Sequence, residues 1–358
     1  MTDTPIEPAA ASSVARANAS ARVREAISRW GLWALLAAMP VYYGVKDLAD
    51  GEGLSRLGQN ILEGLSNGSI WALIAVGYTL VYGIIELINF AHGDVFMIGS
   101  FVAAGLFGSI GLGLTTGPLG LFFGLLVVLL LCMLACSSLN VMIERVAYRP
   151  LRNAPKLAPL ITAVGFSFIL QNIGLLWLGG SPASVPDLIR AQDEVFTVLG
   201  VTVQRADVLA IGVTVPLVIA LTVFITRSRL GKAMRATAQD PDAARLMGIN
   251  VDTTISATFA LGGLLAGAAG LIYALYQTTV WFFQGFQAGL IAFTAAVMGG
   301  IGNLRGAVLG GIIIGVIQQI SDNRIGPEWT PAIVFAFLVL IMVFRPQGLI
   351  GEETREAG

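Results

Sequence analysis

Apolar runs close to the thickness of a lipid bilayer recur along the whole chain, at 30–45, 57–88, 95–112, 119–143, 158–178, 208–226, 253–276, 290–298, 306–320 and 330–344. A helix needs about 20 mostly apolar residues to cross the hydrocarbon core. Helices at these positions use up most of the 358 residues and leave no room for a large soluble domain. Composition agrees, with 56% of residues hydrophobic and 12% charged, far from ordinary globular usage. Strict period-two alternation, the mark of a membrane barrel, is missing from the long runs. The 43 glycines, many in stretches such as "LGGLLAGAAG", suit helices whose backbones approach closely in lipid. The expected fold is an all-α polytopic membrane protein, a bundle of about nine to ten transmembrane helices. The count is open because 30–45 is short and carries Pro40, and 290–298 crosses only if it extends into its glycine flanks.

Charge supplies an independent orientation. With the N-terminus in the cytoplasm, the basic residues of 16–29, 145–156, 227–245, 305 and 345–355 fall inside, and only Lys46, Arg56, Arg190, Arg205 and Arg324 fall outside. Residues 1–29, rich in Ala, Ser and Arg but also holding Asp3, Glu7 and Glu25, read as a disordered cytoplasmic tail. Residues 30–56 hold the candidate first crossing and an external loop, and 352–358 form a cytoplasmic C-terminal tail. Cys132 and Cys136 lie one turn apart in an apolar helix, with no further ligands nearby, and read as packing residues. The longest external segment, 179–207, carries a candidate hairpin at 196–203 that caps two helix ends or faces an external partner.

The densest polarity lies in "IELINFAHGDVFMIGS", where Glu86, Asn89, Asp94 and the chain's single histidine, His92, sit between two apolar runs. Three roles fit: a helix connection held by polar contacts, a gate or pathway lining, or metal or proton chemistry. The connection is preferred, with a turn over 89–93, Asp94 capping the next helix, and His92 in or near the turn. A metal would need further ligands, and none is expected. No nucleophile, acid or metal constellation marks an enzyme, so no catalytic residue is assigned. An ion-coupled secondary transporter would call for a charged relay deep in the bundle, where the apolar runs show mainly Gly, aliphatic and amide residues. If a small zwitterion passes through, Tyr78, Tyr82, Asn89, His92, Gln171, Asn172, Thr294 and Asn303 are candidates to line or gate the path, although interhelical hydrogen bonds explain them as well.

The internal segment "RSRLGKAMRATAQDPDAARLMGIN" carries strong local logic. Asp240 is a helix cap, Pro241 suits the first helical position, and Gly248 suits the residue past the end. A two-turn helix is expected there, with Asp242 and Arg245 on one side and Leu246 and Met247 on another, lying on lipid or docking into another protein. "DAARLMG" resembles the loop by which permeases of ABC importers contact their ATPases, with Asp in place of the usual Glu. Together with "NGSIWALIAVGYTLVYGIIELINFAHGDVFMIGS", "IERVAYRPLR", "AFTAAVMGGIGNLRGAVLGG" and "FRPQGLIG", residues 57–351 resemble the permease subunits of branched-chain amino acid ABC transporters. Residues 1 to 50 extend beyond that core, and Glu86 stands where the family commonly has a small residue.

The resemblance implies a half-pathway for branched-chain amino acids or, as related permeases suggest, for urea, short amides or other small polar solutes. It implies a second homologous permease, two cytoplasmic ATPase subunits that use ATP and Mg, an external solute-binding protein, no cofactor on this chain and no nucleic-acid partner. It also places the chain in a bacterial cytoplasmic membrane, with Asp240, Asp242, Ala243, Ala244, Arg245, Leu246, Met247 and Gly248 as the ATPase coupling element. "RSRLGKAM" lacks the glycine and hydroxyl residues of a phosphate-binding loop, so ATP hydrolysis belongs elsewhere.

Overall fold

The computed structural model describes residues 32–51, 53–113, 116–152, 154–155, 157–345 and 347–350; the two predicted tails lie outside them. Each predicted apolar run is helical over most of its described residues, but the run at 57–88 breaks after Ile85 and the run at 95–112 ends at Ser109. The helices are α1 (Leu32–Ala49), α2 (Ser55–Ile85), α3 (Ala91–Ser109), α4 (Pro118–Ile143), α5 (Leu157–Leu178), α6 (Arg205–Arg227), α7 (Arg229–Gln239), α8 (Pro241–Leu246), α9 (Val251–Gln277), α10 (Gln284–Gly299), α11 (Leu304–Arg324) and α12 (Thr330–Phe344). A π-helical turn, Glu144–Tyr148, and a 3-10 turn, Arg149–Leu151, continue α4. Among the described residues seven helices, α2 to α6, α9 and α11, are long and apolar enough to cross a membrane, and α12 is a shorter apolar helix. The run at 290–298 does extend into its glycine flank, giving 16 residues in α10, and α1 keeps Pro40 inside its 18.

Burial sorts these helices into two layers. Helices α4, α5 and α6 turn large side chains such as Leu119, Ile161 and Leu176 outward, while α2, α3 and α9 are buried along most of their length. That inversion of the soluble pattern follows from lipid being as apolar as Leu: the outer ring needs no polar face, and the interior collects small and polar residues. The seam between α2 and α11 shows how the interior closes. A Cβ added at Gly315 would stand 2.3 Å from the Gly68 Cα, and one at Gly68 would stand 2.8 Å from the Ile312 Cα, so the two backbones meet with nothing larger between them. Cys132 and Cys136 are free, buried, and packed along α9, where Gly267 and Gly263 abut their carbonyls.

The two ends of the bundle differ. At one, β2 (Glu194–Val198) and β3 (Val201–Gln204) form the expected hairpin, and β1 (Ala183–Ser184) pairs with β4 (Thr279–Val280). Gln59 of α2 grips the hairpin from both sides of its amide, accepting from Thr202 N at 2.9 Å and donating to Thr202 O at 3.2 Å. There too Arg324 of α11 makes a bidentate pair with Asp47 of α1 at 2.8 and 2.5 Å and lies over the Tyr43 ring. The opposite end carries α7, α8, the π turn and the chain after α12, where Asn303 Nδ2 donates to Ile350 O at 2.8 Å.

Candidate functional site

The polar segment between α2 and α3 is not a simple turn. Helix α2 stops at Ile85, and Glu86 takes a left-handed conformation at φ 51°. His92, in the first turn of α3, then lies against Gly77 and Tyr78: a Cβ added at Gly77 would be 2.3 Å from His92 Nε2, and the Tyr78 and His92 rings meet edge to face at 4.9 Å. Gly77 is two helical turns before the end of α2, or about 12 Å along its axis. Residues 86–90 therefore climb back into the bundle as non-helical backbone before helix resumes. Glu86 is exposed, Leu87, Ile88 and Phe90 are half-buried and Asn89 is buried, so this backbone runs from the surface of the chain to its interior, where protein surrounds it.

This corrects the expected cap. Helix begins at Ala91, so Asp94 is an interior residue of its first turn and caps nothing. Its carboxylate instead accepts a hydrogen bond from Ser167 of α5, to whose Oγ Gln171 donates at 3.0 Å. The reason is packing: Gly93 meets Gly289 and the Gly285 carbonyl of α10 so closely that a Cβ would fall 2.6 and 2.3 Å from them, a contact that a regular helix presents and an open turn would not. His92 is fully buried, and neither ring nitrogen has a hydrogen-bond partner of normal geometry among the described side chains. Among the described residues no three of His, Cys, Asp and Glu gather closely enough to hold a metal ion.

The other pathway candidates divide. Tyr78 and Tyr82 line one narrow cleft with Ile88 and Phe293 beside the broken segment, and Asn89 is buried there, donating to Asn140 at 3.3 Å. Gln171 is tied to Asp94 through Ser167. Asn172, its neighbour in sequence, points the other way and is exposed, donating back to Phe168 O at 2.8 Å. The Thr294 hydroxyl is turned back onto Leu290 O at 2.9 Å, and Asn303 caps α11 by accepting from Arg305 N and Gly306 N. Sequence reading missed Ser167, Asn140, Glu144, Tyr148 and Arg152, although an acid directly after a mostly apolar helix of 26 residues, as in "IERVAY", is a signal that a buried partner is needed.

Helix α8 has the expected form. The Asp240 carboxylate accepts from Asp242 N at 2.9 Å and Ala243 N at 3.0 Å, with Pro241 following it. At the other end Gly248, at φ 81°, donates to Arg245 O, and Ile249 N donates to Ala244 O, both at 3.0 Å. This pair of bonds is the Schellman stop, which needs the left-handed conformation that glycine adopts without strain. Ala244 faces inward. Leu246 and Met247 are 89% and 83% exposed, while Arg245 pairs with Asp242 at 2.7 Å. Two fully displayed apolar side chains on a rigidly capped helix, at the end where basic residues gather, form a knob.

A polytopic helical bundle with a broken buried helix and such a knob between two spans has the form of a membrane transport subunit. A family model described as "branched-chain amino acid transport system / permease component" matches residues 60–343. The chain belongs to this family. It is 40% identical to the high-affinity branched-chain amino acid transport system permease protein BraD of Pseudomonas aeruginosa over 297 residues, covering 82% of this chain and 95% of that one. The corresponding protein LivH of Escherichia coli is also 40% identical, over 299 residues and with the same coverage. A probable branched-chain amino acid transport permease of Methanocaldococcus jannaschii is 27% identical over 320 residues. Helix α1 precedes the matched region.

Proposed function

We propose that this chain forms half of the translocation pathway of an ATP-driven importer for branched-chain amino acids in a bacterial cytoplasmic membrane. A second permease completes the pathway, two ATPase subunits bind at the end carrying α7 and α8, and a solute-binding protein delivers solute at the hairpin end. Both termini face the cytoplasm, with all ten long or apolar helices crossing or nearly crossing the bilayer. The chain itself hydrolyses nothing and holds no cofactor.

The observation that carries this reading is the capped knob at Leu246 and Met247. Exposed Leu and Met at this density are costly in water, at about 1.5–3 kcal/mol for each side chain that could have been buried. They are compensated by entry into a hydrophobic groove on another subunit. Placement of α8 between two membrane helices makes it a lever on both. The expected result in proteoliposomes containing the assembled importer is that Leu246→Asp lowers uptake at least about tenfold, a change of about 1.4 kcal/mol or more in the coupling, with solute affinity of the binding protein unchanged. A Leu246→Cys chain should crosslink to an ATPase subunit. Full uptake by Leu246→Asp, together with no crosslink, would leave α8 as an element resting on lipid.

A further inference from the structure

The knob is connected to the broken segment by polar side-chain contacts joined through short stretches of backbone. Asn250, two residues beyond Gly248, caps α9 by accepting from Thr253 N. Asp252, in the first turn of α9, receives Arg149 at 2.8 Å and Arg152. Arg152 pairs at the same time with Glu144, whose side chain is fully buried and whose second oxygen accepts from Ser256 at 2.7 Å. Glu144 opens the π turn that Tyr148 closes. The Tyr148 hydroxyl lies 3.3 Å from Ile88 O and 3.2 Å from Asn89 Oδ1, both within the non-helical stretch 86–90. Asn89 continues to Asn140, which donates to Phe259 O at 2.6 Å and so returns to α9.

Three physical features distinguish this column from a static rivet. A tyrosine hydroxyl has one proton to donate, so Tyr148 satisfies one of its two acceptors at a time and the link has two hydrogen-bonded arrangements of similar length. The π turn at the end of α4 widens the last turn by one residue per hydrogen bond before the 3-10 turn, and π turns collect at functional sites. A buried ion pair contributes little net stability compared with an apolar packing of the same volume, so Glu144 and Arg152 are poorly explained by stability alone.

We propose that Asp252, Arg152, Glu144, Tyr148 and Asn89 transmit movement of α8 to residues 86–90, the segment that opens or closes the pathway beside Tyr78 and Tyr82, with Tyr148 as the positioning residue at the switch. This rests on the reading of α8 as the element docked on the ATPase.

The test uses the assembled importer in proteoliposomes. Tyr148→Phe keeps the ring packed on Phe259, now at 5.3 Å between centroids, and removes only the donor. The expected outcome is ATP hydrolysis near the parental rate while solute imported per ATP falls at least about fivefold. A second readout is the labelling rate of Leu87→Cys, expected to differ between nucleotide-free and ATP-trapped importers and to lose that difference when Tyr148→Phe is added. Crosslinking of Leu246→Cys to the ATPase reports α8 docking separately. Parental solute-to-ATP stoichiometry and nucleotide-dependent labelling in Tyr148→Phe, with the crosslink intact, would overturn the proposal. So would equal losses of hydrolysis, uptake and thermal midpoint, which mark a purely structural bond. Absence of the crosslink in the Leu246→Cys importer would overturn the docking reading and this inference with it.

Discussion

Single side chains in this protein are governed by the absence of water around them. Asp47 and Arg324, 2% and 6% exposed, are held by two hydrogen bonds and by the Tyr43 ring, and together they fasten α1 to α11. Removing one partner strands the other charge in a closed site, whereas removing both leaves only a packing defect. Arg324→Ala is therefore expected to lower the thermal midpoint of the purified protein more than the Asp47→Ala, Arg324→Ala pair does, a non-additivity that a double-mutant cycle in detergent measures directly. Gly248 presents a different constraint. Its left-handed backbone would cost a β-branched residue about 1–2 kcal/mol, with open space around it and no clash to add. Gly248→Val should fray the end of α8 and reduce uptake while leaving bundle stability nearly unchanged, whereas Gly248→Asn, which tolerates that conformation, should keep most of the activity.

At the scale of elements, helix pairing is decided by where small residues coincide. Gly64, Gly68, Gly311 and Gly315 form complementary strips on α2 and α11, and the contact leaves no room for a side chain. Gly315→Leu is expected to separate these two helices and lower the thermal midpoint more than any comparable substitution on the outer face of α5, such as Leu176→Ala, where the lost contacts are with lipid; unfolding followed in the same detergent compares them. The broken segment between α2 and α3 obeys the same economy of space. Gly93 is drawn against α10, which pulls the start of α3 into the bundle and forces residues 86–90 to bridge the gap.

For the whole molecule, the two ends differ in charge, and the end rich in basic residues is the one we propose faces the cytoplasm. The hairpin tip, Leu199, and the knob, Leu246, are 93% and 89% exposed at opposite ends of the bundle. In right-side-out vesicles an impermeant thiol reagent should label Leu199→Cys readily and Leu246→Cys only after permeabilisation, while Cys132 and Cys136 stay unreactive because they are buried. The reverse pattern would invert the orientation and move the ATPase site to the hairpin end.

Much of this was legible in the residues themselves. Membrane-spanning helices, the small-residue interior, the hairpin and the capped α8 all follow from local rules, because bilayer thickness sets run length, and because Asp240, Pro241 and Gly248 each fit one backbone position. Tertiary structure alone decided where α3 begins and which polar side chains meet. Asp94 suits a cap by sequence, yet the Gly93 contact with α10 starts the helix earlier and turns its carboxylate to Ser167, 73 positions away. Asn172 and Gln171 are adjacent in sequence but one is exposed and the other buried, a difference of about 100° around one helix that no composition rule assigns without knowing which face α3 covers. Arg152 and Asp252 are unremarkable one by one, and Glu144 and Asn89 stand out in sequence only as polar groups without a visible partner. Their pairing depends on the approach of α4 and α9 across glycine contacts, and such long-range proximity is a property of the packed bundle, not of any segment within it.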